Sequence, residues 1–150
     1  MAGVELEVGS SILNSLQPFL DATAAGHLGL CLVRESPERI SAQVGRRPVD
    51  VYWLTNLGRG RTLKPNDLSG VFASLTRTIT EEGRTVVFVE GLEYLVRVHG
   101  VDAVVDRLAE FDRVAKEHDV RVWTHVSPDL LRPADLERIV RRFGRSDPPA

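Results

Sequence analysis

A carboxylate stands at the end of an apolar run in the middle of the chain, where it could hold a metal ion or activate water. The run is TVVFVE, residues 85–90, and Gly91 and the start of a helical pattern follow it. A carboxylate that leaves a buried strand can orient a hydrated magnesium ion or act as a general base. Glu90 is therefore the first candidate for chemistry, and Glu93 follows it closely.

Glu90 lacks the partner motif that such a carboxylate needs for nucleotide chemistry. A phosphate-binding loop of the form GxxxxGK[ST] uses glycines to bring backbone N–H groups close to phosphate, and a lysine to neutralise it. The turn where this loop belongs reads VRESPERI, and the dipeptide Gly-Lys occurs nowhere in the chain. The residues favour a structural or helix-capping role for Glu90 over a catalytic one.

A loop rich in glycine and arginine, NLGRGRTLKPND at residues 56–67, is the second candidate. Arg59, Arg61 and Lys64 place cations ahead of a predicted helix N-terminus, which is a favourable place for a phosphate or a sulfate. The same composition is also typical of a solvent-exposed loop, and Pro65 removes one donor from the start of the helix. Both interpretations stay open.

His125 closes the last strand pattern and is expected at the same edge of the sheet. Together with Arg59, Arg61 and Glu90 it forms the candidate site for an anionic ligand. The sequence holds no HExxH, HxH or GxSxG pattern, and its one cysteine, Cys31, lies in an apolar run. We therefore predict no metal site, no cofactor and no catalytic residue, and we expect a protein that is not an enzyme.

Apolar, β-branched runs alternate with helical patterns along the chain. Strands are predicted at LGLCLV, VDVYWLT, TVVFVE and VRVWTHV, and VELEV near the N-terminus is a short additional candidate. Helical periodicity runs over residues 65–82 and 101–118, with shorter patterns from Ile12, after Ser36 and from Pro133. This alternation predicts a three-layer α/β fold with a parallel sheet of about four or five strands and helices on both faces.

The predicted α/β domain covers residues 1–143, with a candidate edge strand within 1–10 and a disordered tail at 144–150. VRVWTHV alternates in polarity, which suits a second edge position. On that interpretation Arg121 and Trp123 lie on the exposed face. They are candidate contacts for a partner protein, because arginine and aromatic residues are common interface anchors.

Composition limits the partners. The 150 residues carry a net charge of −2, which gives no general attraction to nucleic acid or to an anionic membrane. Nucleic-acid binding would need a local basic patch, for which the candidate is the C-terminal helix with Arg138, Arg141, Arg142 and Arg145. No stretch approaches the roughly 20 apolar residues of a spanning helix, so a cytoplasmic protein is expected.

From residue 26 onward the sequence resembles the domain-of-unknown-function family DUF835, which is largely archaeal. The resemblance rests on GLCLVRESP at 29–37, EGLEYLV at 90–96 and HVSPDLL at 125–131, although Glu90 stands where the family has aspartate. The family in turn looks like a reduced RecA/KaiC-type ATPase domain without its P-loop. Its members are often fused to sensor, receiver or membrane modules, which implies a regulatory role and supplies no catalytic residue.

Three functions follow from these observations. The first is a non-catalytic signalling or regulatory module, RecA-like in outline, that binds another protein or itself through Arg121 and Trp123. The second is a domain that binds a nucleotide or another anionic ligand through Arg59, Arg61, Glu90 and His125. The third is nucleic-acid binding through the C-terminal arginines, and an unrecognised hydrolase stays a further alternative.

Overall fold

Strands and helices alternate along a computed structural model of the chain, which describes residues 2–34, 37–58 and 60–144. Arg59 and most of the predicted tail lie outside the described residues. The elements are β1 (Gly3–Val8), α1 (Ile12–Ala24), β2 (Gly29–Val33), α2 (Pro37–Val44), β3 (Val49–Leu54), β4 (Thr62–Leu63), α3 (Leu68–Thr80), β5 (Val86–Glu90), α4 (Leu92–His99), α5 (Val101–Glu117), β6 (Arg121–Val126), a 3-10 turn (Pro128–Leu130) and α6 (Pro133–Phe143).

The strands form one parallel sheet in the order β1-β6-β5-β2-β3-β4. The predicted α/β fold class is confirmed, with six strands in the described sheet in place of about four or five. The extra strand is β4, which lies in the loop of residues 56–67 and pairs with the end of β3. A strand of two residues is too short to show a periodicity in the sequence.

Each face of the sheet has its own hydrophobic core, because side chains alternate along every strand. Leu30 and Leu32 of β2 face the core that α3, α4, α5 and α6 cover. Cys31 and Val33 face the core under α1 and α2. The chain therefore builds three layers, with helices on both sides of the sheet.

The predicted edge position of β6 is wrong. β6 lies between β1 and β5, with Val122 of β6 paired to Val4 and to Val87. Two residues of the face that was expected to be exposed are enclosed: Trp123 is 3% exposed and His125 is 2% exposed. The alternation in this strand reflects polar groups with partners inside the protein, and the true edge strand on this side is β1.

The long helices begin and end at residues that their sequences supply. Asp67 caps α3, and its side chain accepts a hydrogen bond from the Gly70 N–H at 2.9 Å. The helix therefore starts three residues after the predicted Pro65. Gly100, with φ of 87°, separates α4 from α5 and lets the chain turn between them.

Candidate functional site at the carboxyl end of the sheet

The neighbouring strands β2 and β5 are the point at which the strand order reverses: the chain leaves β2 toward β3 and leaves β5 in the opposite direction, toward β6. The connection after β2 runs through α2 on one face, and the connection after β5 runs through α4 and α5 on the other face. In open parallel sheets, ligands bind in the crevice beyond the strand ends at such a reversal. Arg34 follows β2 and Glu90 ends β5, so these two residues occupy the place where a ligand is expected.

The Glu90 carboxylate is used inside the protein. Its Oε2 accepts a hydrogen bond from the Arg34 backbone N–H at 2.6 Å, and the residue is only 6% exposed. Gly91, with φ of 104°, makes this approach achievable, since a Cβ at this position would lie 2.7 Å from the Arg34 Cβ. The Glu-Gly pair that suggested a metal site therefore ties β5 to the end of β2.

The Arg34 side chain lies across the neighbouring strand end. Its guanidinium lies over the Tyr94 ring, 4.3 Å from the ring centroid, and its Nη1 donates to the Leu54 carbonyl at 3.3 Å. The indole N–H of Trp53 donates to the Arg34 carbonyl at 3.3 Å. The Arg34 side chain and carbonyl are therefore engaged with the end of β3 and with α4.

His125 is enclosed beside Glu90, its register partner on β5. Its Nδ1 is hydrogen-bonded to the Ser15 hydroxyl of α1 at 2.7 Å, and its Nε2 lies 3.5 Å from the Ser127 hydroxyl. Ser15 is 3% exposed, so neither group of the pair faces solvent. The pair can hold β6 against α1 through a buried hydrogen bond, which contributes roughly 1 kcal/mol to stability.

Sequence reasoning did not find Ser15. The signal that could have found it is its place on the apolar side of α1, beside Leu16 and one turn before Phe19. A hydroxyl at such a position needs a partner in the core. His125, whose strand lies against α1, was the candidate partner.

Arg61 is not part of this cluster. Its Nη1 lies 2.7 Å from Oδ1 of Asp50 on β3, and Arg84 pairs with the other oxygen of the same carboxylate. The structure therefore brings Glu90 and His125 together and places Arg61 in a separate ion-pair network at the β4 side of the sheet. The fourth predicted ligand, Arg59, lies outside the described residues.

The prediction that Trp123 forms an exposed contact surface is wrong, because this residue is buried. Trp123 is 3% exposed and packs edge-on against Phe19, with the ring centroids 6.3 Å apart. The Arg121 guanidinium lies 4.4 Å from the Trp123 ring centroid and 3.3 Å from the Glu5 carboxylate of β1. Because β1 and α1 cover this part of β6, Trp123 is a core residue and no exposed anchor, whereas the Arg121 side chain is 41% exposed while it pairs with Glu5.

The arginines of α6 are engaged along the protein's own surface. Arg138 lies 3.3 Å from Asp102, Arg141 lies 2.5 Å from Glu137, and Arg142 lies over the Phe143 ring. Local carboxylates therefore offset part of the basic charge of this helix. The fourth predicted arginine, Arg145, lies outside the described residues.

A cleft of about 540 Å³ opens beside Glu93, between α4 and the segment that leads into α6. Its charged lining residues are Glu93, Arg97, Asp129, Arg132 and Asp135. Three carboxylates face two arginines there, and Arg132 is paired with Asp135 at 3.3 Å. The cleft therefore has no surplus of positive charge that would favour an anion.

Two findings concern metal-binding and thiol groups in the part of the chain that the structure describes. Its His, Cys, Asp and Glu side chains form no group of three that could hold a metal ion. Burial raises the pKa of the Cys31 thiol well above its usual range, and the Glu90 carboxylate raises this pKa further. Cys31 is therefore a protonated core residue. No described helix is long and apolar enough to cross a membrane.

The chain matches the model of a known protein family. The family model DUF835, described as a protein of unknown function, matches residues 12–143. The matched range contains every described helix and all strands except β1. No curated protein matches the chain.

Proposed function

Because the chain belongs to the DUF835 family of proteins of unknown function, membership supplies no activity, and we propose that the protein is a non-catalytic module that works by binding another protein. A regulatory or signalling role, and descent from a RecA/KaiC-like nucleotide-binding fold, are parts of this proposal. Both rest on the resemblance of its motifs and on the parallel α/β sheet.

One observation carries the proposal. At the reversal point, where a fold of this kind holds its ligand, the Glu90 carboxylate accepts a hydrogen bond from the Arg34 backbone N–H, and the Arg34 side chain lies on the Tyr94 ring. The carboxylate that would hold a metal instead stabilises the chain. What the sheet still offers a partner is its surface and its edges.

The alternative, binding of a nucleotide or another anionic ligand, is tested by thermal unfolding with ATP, GTP or cyclic nucleotides in the presence of magnesium. A ligand that binds the folded state at a hundred times its Kd adds about 2.7 kcal/mol of stability, which raises the melting temperature by several degrees. We expect no increase. An increase that is present in the wild type and lost in Glu90→Gln would place a nucleotide at this carboxylate and overturn the proposal.

The interaction itself is tested by affinity capture from the native organism, followed by reconstitution from purified components. We expect a partner that binds the purified protein saturably. Failure of every captured candidate to bind in the purified system would count against a protein-binding role. Duplex DNA belongs in the same assay, because binding that falls steeply with salt would favour the arginines of α6 instead.

A further inference from the structure

β1 is the outermost strand of the described sheet on the β6 side, and its side away from β6 is a sheet edge. β1 ends the strand order, and the N–H groups of Gly3 and Gly9 donate toward β6, to Val120 at 2.8 Å and Val126 at 3.1 Å. Alternate residues of a strand direct their backbone groups to opposite sides. Val4, Leu6 and Val8 therefore direct their N–H and C=O groups away from the sheet.

Only the beginning of this edge is closed by a side chain that the structure identifies. The Val4 N–H donates to Oδ1 of Asp112 on α5 at 2.7 Å. Exposure then increases along β1, from the buried Gly3 to Glu7 and to Val8, which is 41% exposed. The open part of the edge thus begins at Leu6 and ends at Val8, with two outward backbone positions.

The charges on β1 determine which strand can pair there. Glu5 and Glu7 lie on one face of the strand, and Glu5 already pairs with Arg121 at 3.3 Å. Antiparallel pairing with a second copy of β1 would place Glu7 opposite Glu5 or Glu7 of that copy. Like charges directly opposite each other destabilise a strand pair, and opposite charges stabilise it.

The other face of the added strand would continue the apolar surface. Val4 and Leu6 pack against the core on the α5 and α6 side, and Val8 extends the same row into solvent. A strand with apolar residues on this face and basic residues on the glutamate face would match β1 on both sides.

We propose that the edge of β1 from Leu6 to Val8 accepts an extended segment of a partner protein in which lysine or arginine alternates with apolar residues. This inference rests on the proposed protein-binding function and identifies its surface and the chemistry of its partner. Backbone hydrogen bonds supply the pairing, and Glu7 supplies the preference for basic residues.

The test uses the full chain and a labelled synthetic peptide of alternating valine and lysine, seven residues long, with binding measured by fluorescence anisotropy. The control peptide has the same charge and two prolines in place of valines, so that it cannot form the ladder. We expect saturable binding of the first peptide only. Equal binding of both peptides would show general charge attraction and would overturn the inference.

Variants of two exposed residues locate the site. Val8→Pro removes one outward N–H and should weaken binding by roughly ten-fold, whereas Val8→Thr keeps the N–H and should stay within about two-fold. Glu7→Lys replaces attraction by repulsion at an exposed position and should weaken binding by roughly three-fold or more, with the difference shrinking at high salt. Circular dichroism confirms that each variant is folded.

The outcomes separate this inference from the proposed function. If the wild type binds no peptide, or if Val8→Pro and Glu7→Lys bind as the wild type does, the β1 edge is not the docking surface. A purified partner that still binds both variants would then keep the protein-binding function and move its surface elsewhere. Nucleotide binding at Glu90 would instead overturn the function itself.

Discussion

At the β4 edge of the sheet, the outermost strand is two residues long, and the part of β3 that it leaves uncovered carries the Arg61–Asp50 ion pair. At the β1 edge, the outermost strand is six residues long, and Asp112 closes its first outward N–H. Short edge strands and charged side chains are common protection against the addition of another strand. The β4 edge has both kinds of protection. In the second half of β1, the N–H and C=O groups of Leu6 and Val8 point away from the sheet, and the Val8 side chain is exposed.

The largest expected effect tests which way the β1 backbone faces. Glu7→Pro removes an inward N–H that pairs with β6 and should lower the free energy of unfolding by about 3 kcal/mol. Val8→Pro removes an outward N–H and should cost less than about 1 kcal/mol. Urea denaturation measures both. Equal losses of unfolding free energy would show that the N–H groups of Glu7 and Val8 do not point to opposite sides of β1. The contrast between the two edges of the sheet would then disappear.

The second prediction concerns the closed beginning of β1. Asp112→Ala leaves the Val4 N–H without its acceptor and should lower the free energy of unfolding by about 2 kcal/mol. Asp112→Asn keeps an oxygen at the same place and should cost less. Lys116, whose side chain is 62% exposed and 3.1 Å from Asp112, is the matched control, because Lys116→Ala should change stability by at most about 0.5 kcal/mol.

A smaller effect is expected at the β4 edge. Asp50→Ala removes the carboxylate shared by Arg61 and Arg84, and only the Arg84 side chain is largely buried, at 16% exposure. The loss should be about 1 kcal/mol after allowance for solvent at Asp50. Arg61→Ala should cost within about 0.5 kcal/mol in the same denaturation measurement, since this side chain is 61% exposed. A larger loss for Arg61→Ala than for Asp50→Ala would contradict this assignment.

The smallest perturbation is isotope exchange in the unmodified protein. The amide hydrogens of Leu6 and Val8 should exchange with deuterium at rates near those of an unstructured peptide, whereas those of Val4 and Glu7 should be protected. Nuclear magnetic resonance resolves each amide. The peptide of alternating valine and lysine should slow exchange at Leu6 and Val8 and leave the amides of β4 unchanged.

Much of the fold could be predicted because the buried strands are nearly continuous apolar runs. β2, β3 and β5 lie where those runs predicted them, and α5 ends within one residue of the predicted position. The alternation in VELEV likewise identified β1 as a short strand. These elements depend on local periodicity and on glycine and proline at their ends, which a sequence displays directly.

The candidate site was harder to predict because burial of polar groups depends on partners far away in the chain. His125 and Trp123 appeared exposed because they alternate with valines, yet Ser15 and Phe19 of α1 enclose them. Arg61 appeared to be a free cation because its partner Asp50 lies in another strand. For Glu90 the sequence favoured a structural role, and its acceptor role toward the Arg34 backbone could only be identified from the structure.

The range of the family match, residues 12–143, begins after β1. Within that range the sheet ends on β6, and in this chain a preceding strand completes it. A relative without an equivalent of β1 would present β6 as its outermost strand, with the side of the tryptophan that β1 shields open to solvent. Under the proposed edge pairing, the surface that accepts an added strand would then lie one strand further inward in such a relative.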